Sequence, residues 1–136
     1  MEKGKLKLHK RACRLTGIGT DKIQLVSPSE YRVQTDHTVS NNLGIANYKH
    51  NIYYVRRGEP VRTYIHELLH ILFKHRPHWW IYAASWKLTG QKIIPGRGRA
   101  YGCGGGFFVD TQRIRELPSK PKLKELCQRA YQRLSP

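Results

Sequence analysis

Acidic residues are scarce in this sequence: 9 Asp and Glu accompany 25 Lys and Arg over 136 residues, so the formal net charge is +16 at pH 7. A surface with this excess repels itself unless a polyanion neutralises it, which makes nucleic acid the expected partner. We therefore expect binding to DNA, in single-stranded or junction form, and no binding to a membrane.

Cysteine is also rare, and long apolar runs are absent. The three cysteines, Cys13, Cys103 and Cys127, form no C-x-x-C pair and leave one thiol over, which argues against a disulfide framework and favours a reducing compartment. No segment reaches the roughly 20 apolar residues that span a bilayer, and no apolar run follows the N-terminal charges as in a signal peptide. These absences predict an intracellular, DNA-associated protein that is not secreted.

Hydrophobic periodicity divides the chain into the short helices and strands of an α+β protein. The helix predicted over 60–74 is the most apolar element, and it should lie in the core because its Ile, Leu and Val cover most of its circumference. A proline at 77 and a Thr-Gly pair at 89–90 bound a second helix. The remaining predictions are a basic helix over 5–14, strands over 22–27 and 30–35, a β-hairpin over 44–57 and a C-terminal helix over 120–134.

The apolar helix carries the motif H-E-x-x-H, as His66-Glu67-Leu68-Leu69-His70. Residues four apart lie on one helix face, so both imidazoles can bind one ion. Glu67 is rotated by only about 100° from His66 and can accept a proton from a water bound to that ion. The alternative is that His66 and His70 are ordinary histidines at the edge of a buried helix. It would place three polar side chains in an apolar helix, and each one left unpaired would cost about 1–3 kcal/mol of stability. We therefore predict a zinc hydrolase site with Glu67 as its catalytic residue.

The third zinc ligand has several candidates, since a catalytic zinc ion typically has three protein ligands and an open fourth position. We expect His75, because it follows His70 by five residues and a chain reversal after the helix would bring it under the ion. His78 is the next candidate, although it would lie in the first turn of the following helix. A downstream carboxylate, Asp110 or Glu116, is the remaining alternative. The predicted cofactor is one catalytic Zn²⁺ ion.

Residues 40–90 resemble the SprT-like metalloprotease family, which includes Spartan. The resemblance rests on a G-x-A element at 44–46 in the strand before the helix, on the H-E-x-x-H motif, and on the stretch of histidines and tryptophans that follows. In that family a further histidine, commonly in an H-G-x-x-F or H-G-x-x-W context, supplies the third zinc ligand. By position His75 takes this place and Trp79 the aromatic place, while Arg76 stands where the family usually has glycine.

The resemblance implies a zincin-like minimal metalloprotease over residues 1–95, in which a small β-sheet packs on the H-E-x-x-H helix and a further helix follows. The implied activity is that of an endopeptidase that cleaves proteins bound or crosslinked to DNA. Many relatives continue into a zinc ribbon with four Cys or Cys/His ligands, which this chain lacks. Residues 96–136 are therefore predicted to be a basic extension, either a degenerate ribbon or a DNA-binding tail. Its candidate nucleic-acid contacts are Arg97, Arg99, Lys120, Lys122 and Lys124.

Two other functions are compatible with the sequence. The first is a small basic nucleic-acid-binding protein whose zinc site is structural or vestigial. The second is a cysteine peptidase that uses Cys103 and a histidine, which is disfavoured because no helix N-terminus adjoins this cysteine to activate it. For the zinc peptidase, Tyr64, Tyr82 and Tyr101 are candidate donors to the developing oxyanion.

Overall fold

The computed structural model describes residues 2–90, 99–102, 105–108 and 115–135, and for 99–102 and 105–108 it describes the backbone. This part of the chain contains five helices, a three-stranded sheet and a two-stranded sheet, which confirms the predicted α+β class. Of the helices in these ranges, none has both the length and the apolar character needed to cross a membrane. In chain order the elements are α1 (Lys3–Thr16), β1 (Gln24–Leu25), α2 (Pro28–Thr35), β2 (Gly44–Asn47), β3 (Ile52–Val55), α3 (Val61–Leu72), α4 (His78–Thr89), β4 (Arg99–Gly102), β5 (Gly105–Phe108) and α5 (Lys120–Gln132).

Residues 30–35, predicted as a strand, belong instead to helix α2. Ser27 caps this helix, because its Oγ accepts a hydrogen bond from the backbone N–H of Glu30 at 3.2 Å, and Pro28 occupies the first helical turn. The pattern Ser-Pro-x-Glu is thus a helix start, and the prediction of a turn between two strands was wrong. The strand predicted over 22–27 shrinks to the two residues of β1.

The three-stranded sheet has the order β1-β3-β2, with β1 parallel and β2 antiparallel to the central β3. The hairpin predicted over 44–57 is confirmed as β2 and β3, with its turn at 48–51. Asn47 stabilises the turn, because its Oδ1 accepts from the backbone N–H groups of Lys49 and His50 at 3.0 and 3.2 Å. Strand β2 lies at the edge of the sheet and packs against α3.

Helices α3 and α4 confirm the two apolar helices predicted over 60–74 and 77–90. Helix α3 packs against α1, α4, β2 and β3, and Ile65, Leu68 and Leu69 have no exposed surface. Helix α4 ends as predicted at Gly90, whose φ of 72° is the left-handed conformation that glycine adopts easily. The core therefore surrounds the helix that carries the H-E-x-x-H motif.

The C-terminal helix predicted over 120–134 is confirmed as α5, and it is part of the core. Leu123 and Cys127 are fully buried, and the helix packs against α1, α3 and α4. The Oη of Tyr131 accepts from the backbone N–H groups of Asp21 and Lys22 at 3.2 and 3.0 Å, which joins the end of α5 to the segment after α1. The predicted extension over residues 96–136 thus ends in a helix that shares its core with the predicted domain over 1–95.

The two cysteines that the described ranges contain, Cys13 and Cys127, are free and buried. Cys103, the candidate for a ribbon remnant or a nucleophile, lies outside the described residues. Burial raises the pKa of both described thiols to about 12.

Candidate metal centre

Three histidine side chains converge at the contact between α3 and α4. The Nε2 atom of His66 lies 3.1 Å from Nε2 of His70 and 3.0 Å from Nε2 of His78, and the candidate ligand atoms of all three lie within 4.8 Å of one another. Ligands at the usual zinc–nitrogen distance of 2.0–2.1 Å in a tetrahedral site are about 3.3 Å apart, which is close to the two distances measured from His66. The three histidines are close enough to bind a metal.

The histidine that the structure brings to His66 and His70 is His78, and the predicted His75 does not lie with them. His75 is exposed in the turn between the two helices, outside the histidine cluster. His78 is the first residue of α4, and Cα–Cβ bonds in a helix tilt toward its N-terminus. A side chain in the first turn can therefore point back toward α3. The first-turn position of His78, which weighed against it in the sequence analysis, thus favours contact with the other two histidines. Of the alternative carboxylates, Glu116 is exposed and outside the cluster, and Asp110 lies outside the described residues.

The cluster is shielded enough to keep its imidazoles neutral. His66 is only 6% exposed, and burial, followed by the neighbouring His70 and His78, holds its pKa well below the usual value of 6.5. Burial likewise lowers the pKa of His70 to about 4, with a smaller effect of His78, and lowers the pKa of His78. Metal binding requires deprotonated imidazole nitrogen, and all three histidines are in that state at neutral pH.

Glu67 is fully buried, and it lines the same cleft as His70 and His78. A cleft of about 540 Å³ is lined by Glu67, His70 and His78 on the helix side. Strand β2 passes so close to the carboxylate that a Cβ atom on Gly44 would lie 2.7 Å from Oε2 of Glu67 and 2.9 Å from its Cγ. A larger residue at this position would have to displace the Glu67 side chain, which gives a physical reason for glycine as the first residue of the G-x-A element.

The cleft is also lined by Ile45, Ala46, Tyr48 and Lys74. Ile45 and Ala46 belong to the G-x-A element, whereas Tyr48 and Lys74 were not among the predicted site residues. The Lys74 ammonium lies 5.6 Å from the centre of the exposed Tyr48 ring, within cation–π range. One signal was available for Lys74, because it follows His66 and His70 at the same four-residue spacing.

The candidate oxyanion donors are placed differently from one another. The Tyr82 ring lies 6.0 Å from the ring of His66, at an angle of 71°. Tyr64 is buried edge-on against Tyr53, and burial raises its pKa to about 12. For Tyr101 the structure describes only the backbone. Tyr82 is therefore the one of the three whose placement beside the histidines is seen.

The predicted nucleic-acid contacts lie away from these histidines in sequence, at the start of α5 and before it. Lys122 is exposed, with its Nζ 3.5 Å from Oε2 of Glu125, and Lys120 and Lys124 are half-buried. Arg99 lies on β4, and Arg97 lies outside the described residues.

Comparison of the chain with models of protein families, with curated proteins and with solved structures finds no match. The resemblance to SprT-like metalloproteases therefore stays a prediction from the motif, and the chemistry of the site has to be argued from its residues.

Proposed function

We propose that the protein is a zinc-dependent endopeptidase of the SprT-like, zincin-like kind, acting on proteins that are bound or crosslinked to DNA. The observation that carries the proposal is the convergence of three imidazole nitrogens beside a cleft that His70, His78 and Glu67 line. The proposed localisation is intracellular, on DNA.

His66, His70 and His78 would hold the zinc ion. Three neutral imidazoles with space beside them are a typical donor set for catalytic zinc, which keeps its fourth position open. When bound, zinc lowers the pKa of a water from about 15.7 toward 7 and polarises the carbonyl of a peptide bond. With His78 as the third ligand, the family context H-G-x-x-F or H-G-x-x-W corresponds to His78 through Tyr82, with Trp79 in place of the glycine.

Glu67 would be the general base and then the general acid. Its carboxylate takes a proton from the attacking water while the water oxygen bonds to the carbonyl carbon. When the C–N bond breaks, Glu67 delivers that proton to the leaving amine. The close packing of Gly44 against the carboxylate would limit the movement of this side chain beside the cleft.

Strand β2 would bind the substrate chain. Within the described ranges β2 pairs with β3 on one side, so its other edge can accept an extended peptide as an additional strand. Ile45 and Ala46 of this strand line the cleft together with His70 and Glu67, so a peptide bound along β2 would present its backbone to the site. Binding through backbone groups suits a peptidase with many different protein substrates.

DNA would bind through the basic surface. The contacts proposed from the sequence, Arg97, Arg99, Lys120, Lys122 and Lys124, would neutralise phosphates without reading sequence. Binding of this kind weakens steeply with salt, because counterions are released when it forms.

The test combines metal analysis with a cleavage assay. Purified protein should contain one zinc ion per chain and cleave casein or histone in the presence of single-stranded DNA, and chelation should stop cleavage. Glu67→Gln should retain zinc and lose at least about 100-fold in rate, which is the usual contribution of a general base. Cleavage at the wild-type rate by Glu67→Gln would remove this residue from the mechanism.

A second candidate is a small basic nucleic-acid-binding protein with a structural or vestigial zinc site, and the net charge of +16 favours it. Zinc and DNA binding without cleavage of any protein on DNA would support this function over the peptidase.

A further inference from the structure

Helix α1 has one buried face and one strongly basic face. His9, Ala12, Cys13 and Thr16 are buried on the side that packs into the protein. The opposite side carries five exposed basic residues spaced by three or four positions, which we call the cationic face: Lys3, Lys7, Lys10, Arg11 and Arg14.

The cationic face is electrostatically unfavourable by itself. Like charges three or four residues apart repel across a helix surface, and the five residues form five such pairs. Lys3 and Lys7 also lie near the N-terminus, where the helix dipole is positive, and no acidic residue occurs in the first turn. Glu2 precedes the helix without a side-chain capping hydrogen bond, and its carboxylate lies 3.7 Å from Arg57.

Helix α5 shows how the same chain neutralises a basic helix locally. Its Glu125 pairs with Lys122 at 3.5 Å and with Arg129 at 2.6 Å, and Ser119 caps its N-terminus. Helix α1 contains no acidic residue at all. Among the residues that the structure describes, the recorded ion pairs involve no member of the cationic face.

We infer that the cationic face of α1 binds the phosphate backbone of nucleic acid and is the main contact surface for it, ahead of Lys120, Lys122 and Lys124. From Lys3 to Arg14 the helix rises by about 16 Å, at 1.5 Å per residue. One DNA strand has a phosphate about every 3.4 Å along the axis, so five cations face about five phosphates. The inference rests on the nucleic-acid part of the proposed function and is independent of the peptidase part.

A membrane surface fits this helix less well. A helix that lies in a bilayer interface buries its apolar face among the lipids. The apolar face of α1 is already in the core, where Ala12 and Cys13 are at most 1% exposed, and Leu8 and Leu15 pack against it while Leu6 is 39% exposed. Phosphate contacts need no apolar face.

The test compares two triple variants of the full chain that remove the same charge. Lys7→Gln, Lys10→Gln and Arg14→Gln change the cationic face; Arg32→Gln, Lys49→Gln and Arg56→Gln are the control at exposed positions outside it. Binding to a labelled single strand and a labelled duplex of about 20 nucleotides is measured by fluorescence anisotropy between about 50 and 200 mM salt. We expect the first variant to bind the duplex at least about 10-fold more weakly, with a salt slope smaller by about 2–3, and the control to change affinity less than about 3-fold.

Thermal unfolding separates binding from folding. Removing repulsive pairs should leave the melting temperature of the first variant equal to that of the wild type or higher, while affinity falls. Equal losses in the two variants would show a general charge effect, and an unchanged affinity in the first would remove α1 from the interface; either result overturns the inference. Binding to vesicles of anionic phospholipid is measured in parallel. If the first variant loses binding to the vesicles alone and still binds the nucleic acids, the inference is overturned and the cationic face contacts a membrane instead. None of these measurements depends on cleavage, so they test the inference even if the protein proves not to be a peptidase.

Discussion

Two side-chain clusters in this protein, each built around a buried histidine, have opposite chemical prospects. His9 and His66 are each 6% exposed, and burial lowers the pKa of both. The Nδ1 atom of His9 lies 2.5 Å from the Oη of Tyr53, and Cys13 Sγ is 3.8 Å from its Nε2. His66 instead faces two other imidazoles beside a cleft.

The difference shows that burial does not make a histidine a ligand. Around His9 the neighbours are a hydroxyl and a thiol whose pKa burial raises to about 12, which is far from the thiolate that a metal needs. Around His66 three neutral nitrogens point to one place, and open volume adjoins them. Convergence of donors and access to solvent distinguish a candidate metal site from a satisfied core histidine.

The largest effect should be the loss of zinc affinity when the histidine at the start of α4 is replaced by alanine. His78→Ala should lower zinc affinity by more than about 100-fold, since the loss of a ligand exceeds the 10–100-fold cost of disturbing a partner of one. His75→Ala is the matched control, because this residue is exposed and outside the cluster, and it should bind zinc as the wild type does. Titration of both variants with zinc measures this, and the reverse result would restore His75 as the third ligand.

Gly44→Ala should damage the site from the side of the sheet. The new Cβ would lie 2.7 Å from the Glu67 carboxylate, so the carboxylate or β2 has to move, and we expect cleavage to slow by about 10- to 100-fold. Gly4→Ala is the control in helix α1, where a Cβ meets nothing within 4 Å and alanine stabilises a helix by about 0.5–1 kcal/mol. Wild-type rates in Gly44→Ala would show that the position of Glu67 is not set by this contact.

Acid should destabilise the metal-free protein through both clusters. The pKa of His70 is about 4 when folded against 6.5 when unfolded, so the unfolded state binds more protons between these values. The free energy of unfolding is therefore largest above about pH 6.5 and falls as pH decreases toward 4, by about 1–2 kcal/mol for the partly exposed His70. Urea unfolding of chelator-treated protein at several pH values measures the slope, and a flat profile would contradict the burial of these histidines.

The smallest effect should be that of Tyr53→Phe in the closed cluster. The substitution removes the hydroxyl that contacts His9 and leaves the ring packed on Tyr64. We expect the free energy of unfolding to fall by about 1 kcal/mol. Zinc content and cleavage should not change, because the contact lies in the core and outside the cleft. Loss of zinc in Tyr53→Phe would mean that the two clusters are coupled.

Local patterns predicted the elements that are defined by neighbours in sequence. The apolar period located α3 and α4, Gly90 ended α4, and the hairpin followed from its strands and polar turn. The strand predicted over 30–35 failed because alternation of a few residues was weighed above the helix start at Ser27 and Pro28. That error was avoidable, since the capping signal is itself local.

The sequence alone determined that His66 and His70 share one face of a helix, because a helix places residues four apart on the same face wherever it lies in the protein. It also placed Glu67 next to His66. The third histidine, the closeness of Gly44 to Glu67 and the burial of α5 were decided by tertiary structure. Each depends on how separate elements pack, and a turn of a few residues can bring either of two nearby histidines to the same point. Spacing along the chain restricts that choice, and the contact between α3 and α4 is what places His78 beside His66 and His70.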